Sequence, residues 1–167
     1  MIIQQVVTVI QVKKIDIKNF ILERIIMFIV GFCVYITIEV CFRGYSFVSM
    51  GICGGCIFII LDSINGLISR DMDLLLQGII GSITITSTEF IVGMVSKLQG
   101  HLPMWDYSNM PFNFEGIICL PFSLIWIGVS IIGILVADAI KYYVFDELPI
   151  PYYKLFGKTI IKYKKKN

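Results

Sequence analysis

The stretch GIICLPFSLIWIGVSIIGILVA, residues 116–137, contains no charged side chain. The hydrocarbon core of a bilayer is about 30 Å thick, and a helix needs about 20 apolar residues to cross it. A run of this length without charge is longer than an ordinary buried core helix requires. The stretch therefore predicts a helix that spans a membrane.

The composition of the whole chain agrees with a membrane protein. Of the 167 residues, 57% are hydrophobic and 16% are charged, and the mean hydropathy is +0.84. Soluble domains carry about 25% charged residues. A small soluble fold leaves much of its surface exposed, so it could not remove this much apolar surface from water. Lipid is therefore the expected solvent.

Three further stretches are also long and apolar: residues 25–42, 45–61 and 74–95. Few carboxylates interrupt them: Glu39 lies in residues 25–42, and Glu89 lies in residues 74–95. The sequence therefore predicts an all-α, polytopic membrane protein with a four-transmembrane-helix bundle.

The distribution of Lys and Arg predicts the orientation of this bundle. Loops on the cytoplasmic side of a membrane carry an excess of these residues. The connections between the spans contain few, whereas the flanks contain many: Lys13, Lys14, Lys18 and Arg24 before the first span, and Lys141, Lys154, Lys158, Lys162, Lys164, Lys165 and Lys166 after the fourth. We therefore expect a multi-pass protein of the cell membrane with both termini in the cytoplasm.

The same pattern divides the chain into three parts. We expect an N-terminal cytoplasmic segment over residues 1–20, a membrane domain over 21–146 and a basic cytoplasmic tail over 147–167. The lysines of the tail could bind lipid headgroups or nucleic acid. Topology alone already requires basic residues there, so we interpret the tail as an anchor, with the lipid bilayer and not nucleic acid as its partner.

Small residues recur every three or four positions in three of the spans. Because lipid provides little hydrophobic force between helices, close packing of small residues and polar contacts must hold them together. We expect these faces to point inward: Gly51, Gly55, Asp62 and Gly66 in the second span, Gly78, Ser82, Thr86, Glu89, Gly93 and Ser96 in the third, and Cys119, Ser123, Trp126, Ser130, Gly133 and Ala137 in the fourth.

The two carboxylates inside the spans are candidates for function. A charge within a span costs about 2.5–3.5 kcal/mol on insertion scales. Arg43 follows Glu39 by four residues, the spacing of a helical ion pair. Glu89 has no partner in its own helix, so we expect one from Arg43, a tyrosine or water in a cavity. Neutralisation at the interface remains the alternative for Glu39 and Arg43, and a packing contact the alternative for Glu89.

The connection before the fourth span is dense in residues that fix geometry. Trp and Tyr prefer the membrane interface, and an Asp followed by Tyr and Ser can form an Asx turn. We expect an ordered cap above the two glutamates on the extracytoplasmic side. The candidate binding residues are Glu39, Arg43, Glu89, Trp105, Asp106, Tyr107, Ser108 and Asn113.

The run WDYSNMPFNFEGIICLPFSLIW (105–126), preceded by TSTEFIVG (86–93), resembles the "Putative ABC-transporter type IV" family of CmpB-like permease proteins. The spacing of Glu39, Arg43 and Gly44 is similar to a second motif of that family. The resemblance extends over roughly residues 31–153 and implies a transporter permease. The chain has no phosphate-binding GxxxxGK[ST] motif, so ATP hydrolysis would require a separate subunit.

Three functions fit the sequence. The first is a transport or channel component that binds or conducts a small solute, such as a cation or a proton, in an outer polar pocket. Four spans are few for a complete pathway, so a homo-oligomer or partner subunits would be needed. The second is a membrane thiol oxidoreductase using Cys53 and Cys56, a CxxC pair. The third is a non-catalytic scaffold or holin-like interaction protein.

No hydrolytic or metal-binding arrangement is evident in the sequence. His101 is the single histidine, and the cysteines lie at other depths of the predicted bundle. We therefore expect neither an enzyme nor a bound cofactor or metal. The identity of the substrate is not predicted.

Overall fold

Four helices make up most of the structure, which is a computed structural model. It describes residues 17–69, 71–100, 103–146 and 149–165, and of residues 64, 65 and 67 only the backbone. The helices are α1 (Ile17–Arg43), α2 (Val48–Leu67), α3 (Leu74–Leu98) and α4 (Leu120–Val144). Two small antiparallel sheets pair β1 (Asn113–Phe114) with β2 (Ile118–Cys119), and β3 (Tyr152–Leu155) with β4 (Lys158–Lys162).

Three helices within the described residues, α1, α3 and α4, are long and apolar enough to cross a membrane. The apolar part of α2, Val48–Ser63, is shorter than about 20 residues. Asp62 interrupts the apolar character near its end. The structure thus confirms a mostly helical protein with three candidate spans. The fourth crossing, by α2, stays a prediction.

The helices pack as two pairs, α1 on α2 and α3 on α4, and the pairs meet chiefly through α2. The glycines of α2 allow α1 to approach closely. A Cβ added to Gly54 would overlap Tyr35, and one added to Gly55 would lie 2.6 Å from the ring of Phe28. The inward orientation predicted for Gly51 and Gly55 is therefore confirmed, whereas Gly66 is exposed and contacts nothing within 4 Å of an added Cβ.

Small and polar residues also join α3 to α4, as predicted. The hydroxyl of Ser82 donates to the carbonyl of Ser123 at 2.5 Å, and Thr86 donates to the Ser123 hydroxyl at 3.2 Å. A Cβ on Gly81 would lie 2.6 Å from Ser130, so the helices are in close contact there. Side-chain hydrogen bonds of this kind provide specific contacts where hydrophobic association is weak.

The prediction that the last helix begins at residue 116 is wrong, because residues 113–119 form a tight turn instead. Glu115 and Gly116 both have positive φ, 57° and 68°, as the central residues of a type I′ turn do. The amide of Ile117 donates to the carbonyl of Phe114 at 3.0 Å and closes the turn. Helix α4 then begins at Leu120, with a proline in its first turn, where the missing N–H costs no hydrogen bond.

The C-terminal hairpin of β3 and β4 was not predicted from the sequence. Tyr153 is 2% exposed and packs with Leu74 and Ile134, and its hydroxyl donates to Asp138 at 2.6 Å. The backbone amide of Phe156 donates to Asp73, the N-cap residue of α3. The hairpin thus packs against the start of α3 and the second half of α4.

Some predictions fall on residues that the structure does not describe. Residues 1–16, with Lys13 and Lys14, lie outside the described residues, as do His101 and Lys166. The division into segments 1–20, 21–146 and 147–167 also stays a prediction.

Candidate functional site

A groove of about 350 Å³ lies between α1 and α4, beneath the connection from α3 to α4. Six aromatic side chains form most of its wall, together with two carboxylates and one guanidinium. The residues lining it are Tyr35, Ile38, Glu39, Phe42, Arg43, Trp105, Asp106, Tyr107, Met110, Phe122, Ile125, Trp126 and Val129. A concave, largely apolar site with a few placed polar groups is the usual form of a ligand pocket.

Glu39 and Arg43 form the ion pair predicted from their spacing. The Nη2 atom of Arg43 lies 2.8 Å from Oε2 of Glu39, and the Ser46 hydroxyl donates to the same oxygen at 2.6 Å. The other guanidinium nitrogens donate to the carbonyls of Met104 at 2.8 Å and Tyr45 at 3.3 Å. The charge of Arg43 is therefore compensated, and each of its three guanidinium nitrogens donates one hydrogen bond.

Gly44 ends α1 directly after this ion pair. It has φ 81°, and its amide donates to the carbonyl of Val40 at 2.9 Å. This is the αL form of helix termination, which glycine adopts without steric cost. The turn brings Ser46 back towards Glu39.

The loop over the groove is ordered by its own polar side chains. The backbone amide of Ser108 donates to Asp106 at 2.8 Å, which confirms the predicted Asx turn. The indole of Trp105 donates to the carbonyl of Ile117 at 2.7 Å, and the Asn113 amide donates to the carbonyl of Met110 at 2.9 Å. The predicted ordered cap is therefore present.

Charges in this loop are held in their ionised form. Hydrogen bonds from the hydroxyl and backbone amide of Ser108 lower the pKa of Asp106 below its usual value. The Lys97 ammonium, 2.8 Å away, lowers the pKa of Glu115. Burial raises the pKa of the Tyr107 phenol, so this side chain stays a neutral donor. The groove wall therefore carries two acidic side chains, Glu39 and Asp106, and one basic side chain, Arg43.

Glu89 lies behind the groove wall rather than on it. It is 2% exposed, and its Oε2 accepts a hydrogen bond from the indole of Trp126 at 3.0 Å. Neither Arg43 nor a tyrosine of the described residues is hydrogen-bonded to it. Its Oε1 is buried without a hydrogen-bond partner among the described residues. The indole of Trp126 thus separates this carboxyl from the groove.

Stacked rings link Glu89 to the groove. Tyr35 stacks on Trp126 with centroids 6.4 Å apart, and Tyr107 stacks on Phe122 at 4.7 Å. Tyr35 also interacts electrostatically with both Glu39 and Glu89. Tyr35 thus contacts the indole that binds Glu89 and lines the groove beside Glu39.

Five of the eight candidate residues line the groove: Glu39, Arg43, Trp105, Asp106 and Tyr107. The other three do not line the groove. Glu89 contacts Trp126, which does, whereas Ser108 and Asn113 make hydrogen bonds within the loop above the groove. Sequence reasoning did not select Tyr35, Phe42, Met110, Ile125 or Val129, because apolar and aromatic residues in a span carry no polar signal.

A second cluster of charge lies near the other end of the bundle. Asp62 is 1% exposed and contacts Arg24 at 2.7 Å and Lys141 at 2.6 Å. Glu23, 5% exposed, lies 3.5 Å from Arg24 and 3.8 Å from Lys141. We call these four residues the inner cluster. In the sequence Arg24 and Lys141 indicate only the orientation of the bundle, because no motif connects residues so far apart.

The CxxC cysteines lie on one helix, α2. Cys53 packs against the core around Trp126, and Cys56 is exposed. Both are free thiols. The arrangement gives the thiol-oxidoreductase hypothesis no support beyond the spacing.

The family model described as "Putative ABC-transporter type IV" matches residues 2–163 of the chain. This match covers the groove, its loop and the inner cluster. No curated protein and no solved structure matches the chain.

Proposed function

The chain belongs to the "Putative ABC-transporter type IV" family, and from that premise we propose that it is a membrane transport component whose outer groove binds a small organic cation. One observation carries the proposal: six aromatic side chains and two carboxylates line a cavity of about 350 Å³. Aromatic faces attract cations, and recognition of quaternary ammonium groups commonly uses such a cage.

The charges of the groove favour a cation over an anion. Arg43 already donates to Glu39 and to two backbone carbonyls, so it has little capacity left for an anionic ligand. Asp106 is exposed and its hydrogen-bond donors are neutral. The carboxyl of Glu89 lies behind Trp126, where its ionised form adds negative potential.

The proposal includes the predicted topology. In it all four helices cross the bilayer, α2 as the shortest, and both termini lie in the cytoplasm. The groove then opens on the outer side. A single chain of four helices is small for a complete pathway, so a homo-oligomer or partner subunits complete it, and any ATP hydrolysis occurs on a separate subunit. The proposed role is binding and passage without a chemical step.

Titration calorimetry in lipid nanodiscs tests this function, with tetramethylammonium as the probe. The wild-type protein should bind it. Glu39→Gln leaves the positive charge of Arg43 uncompensated on the groove wall, so we expect affinity to fall roughly tenfold, which corresponds to about 1.4 kcal/mol.

Glu115→Gln is the matched control, because Glu115 is also an outer-side carboxylate paired with a cation but does not line the groove. Its affinity should equal that of the wild type. Absence of binding to the wild type, or equal affinity in both variants, would refute a cation site and leave the scaffold hypothesis.

A further inference from the structure

A smaller apolar cleft of about 150 Å³ adjoins the aromatic groove, and its walls come from α1, α2 and α4, with one residue of α3. The two cavities share Tyr35, Ile38, Trp126 and Val129, so they lie next to each other. The stacked rings of Tyr35 and Trp126 lie where the groove passes into the cleft. A ligand seated in the groove would therefore reach the cleft directly.

The cleft is apolar beyond this boundary. The residues that line it alone are Gly31, Val34, Gly54, Ile57, Phe58, Leu61, Ile85, Ile132, Gly133 and Val136. None of these side chains has a hydrogen-bonding group. An apolar cavity of this size does not retain water but does accept hydrocarbon.

Among the three glycines of the cleft, Gly133 has the clearest effect on its volume. Added Cβ atoms on Gly31 and Gly54 would overlap the neighbouring helix, so these two residues are needed for packing. A Cβ on Gly133 would lie 3.5 Å from the ring of Phe58, an ordinary contact. A side chain at position 133 would therefore fit beside the neighbouring helix, and its absence leaves part of the cleft open.

We infer that the ligand is a cationic amphiphile, with its charged head in the aromatic groove and a single hydrocarbon chain in the apolar cleft. The inference rests on the proposed function and adds the class of substrate. The distance fits a chain: Gly31 precedes Glu39 by two helical turns, about 12 Å along the axis at 1.5 Å per residue. Negative charge at one end and hydrocarbon walls at the other complement such a molecule.

The competing occupant is the acyl chain of a bilayer lipid. Lipid tails are as apolar as the cleft, so helices and ligands gain no hydrophobic energy by leaving them. If lipid alone fills the cleft, lengthening the alkyl chain of the ligand raises its affinity only through partition into the bilayer. Substitutions that fill the cleft would then leave this increase in affinity unchanged.

A series of alkyltrimethylammonium ions separates these outcomes. Tetramethyl-, butyltrimethyl- and octyltrimethylammonium are titrated into nanodiscs carrying the wild type, Gly133→Leu or Gly128→Leu, with empty nanodiscs as the partition blank. Gly128 is the matched control, because it lies on the same helix, is exposed and has no atom within 4 Å of an added Cβ. Val136→Phe fills the same cleft should Gly133→Leu fail to fold.

We expect octyltrimethylammonium to bind about 30-fold more tightly than tetramethylammonium in the wild type and in Gly128→Leu, since each buried methylene contributes free energy. In Gly133→Leu this gain should fall below about threefold while tetramethylammonium affinity is retained. An equal gain in Gly133→Leu would overturn the inference but leave the cation site standing. Failure of the wild type to bind tetramethylammonium would overturn the proposed function, and the inference with it.

Discussion

Asp62 and Glu89 are buried to the same degree, yet their surroundings differ in kind. Asp62 is 1% exposed and contacts two cations, Arg24 and Lys141. Glu89 is 2% exposed and accepts one hydrogen bond from a neutral indole. The inner cluster has two acids and two bases, so its formal charges cancel, whereas the carboxyl near the groove has no cation within ion-pair distance among the described residues.

The difference indicates what each region does. Removing a charge from water is costly, and close pairing recovers much of that cost. The inner cluster joins α1, α2 and α4 by such pairs, which suits a structural contact. An uncompensated carboxyl inside a span stabilises nothing, so its presence near a cavity points to function.

The largest expected effect is on the inner cluster. Asp62→Asn leaves Arg24 and Lys141 to share one acid, Glu23, in a buried setting. Breaking a buried ion pair by removing one partner costs about 3–5 kcal/mol. Denaturant titration in mixed micelles should show that loss in the free energy of unfolding.

A second variant tests whether charge balance is the reason. Asp62→Asn combined with Lys141→Met removes one charge of each sign and retains the Glu23–Arg24 contact. The free energy of unfolding should recover by at least half, because neighbouring substitutions couple. If the Asp62→Asn variant alone is as stable as the wild type, the ion pairs of the inner cluster do not stabilise the fold.

Trp126→Phe should have the next largest effect. Phenylalanine keeps ring contact with Tyr35 and Phe122 but removes the only N–H that Glu89 accepts among the described residues. A buried acceptor left without a partner costs about 1–3 kcal/mol. The same substitution made in a Glu89→Leu background, where position 89 has no acceptor for the indole, should cost less. Equal costs in both backgrounds would mean that the indole contributes by packing alone.

Glu89→Gln is the counterpart of Asp62→Asn, since each exchanges a buried carboxylate for an amide. The amide oxygen still accepts from Trp126, and a buried carboxyl that no described cation compensates is lost, so the free energy of unfolding should stay the same or rise by about 1 kcal/mol. The ionised form of this carboxyl adds negative potential behind Trp126, so its loss should lower tetramethylammonium affinity by at most about threefold. A large loss of stability in Glu89→Gln would show that Glu89, like Asp62, stabilises the fold.

Much of the fold was predictable because lipid imposes simple rules. The apolar lengths predicted α1, α3 and α4, and the small residues correctly predicted the faces of α3 and α4 that meet. Boundaries were less accurate, since α1 begins at Ile17 rather than residue 25 and α4 begins after the turn at Gly116. A two-residue strand has no periodic signal, so its effect on the helix start could not be read from the sequence.

The site was predictable only where neighbouring residues make it. Glu39 and Arg43 are four residues apart, and Asp106 and Ser108 are two apart, so their contacts follow from spacing. The inner cluster joins positions 38 residues apart on separate helices, such as Arg24 and Asp62, and arises only from packing. The contact of Trp126 with Glu89, 37 residues apart, has the same origin.

The smallest expected effect concerns acid pH and Asp106. Hydrogen bonds from Ser108 hold the folded pKa of Asp106 below its usual value, which is about 3.9. A depressed folded pKa contributes stability above the usual value, and that contribution is lost as pH falls through the folded pKa. The contribution of Asp106 to cation affinity should have the same sign, so this contribution should be constant from neutral pH down to about pH 4 and decline only below it.

Ser108→Ala removes the hydroxyl donor and should raise the pKa of Asp106 towards its usual value, so that the decline in tetramethylammonium affinity begins at higher pH. Titrations between pH 3 and 7 on both proteins, with carboxyl ¹³C shifts, measure this change. Glu39 also faces the groove, but its environment is the same in both proteins, so the difference between them isolates Asp106. Coincident profiles would mean that Glu39, with Glu89 behind it, supplies the negative charge of the groove without help from the loop.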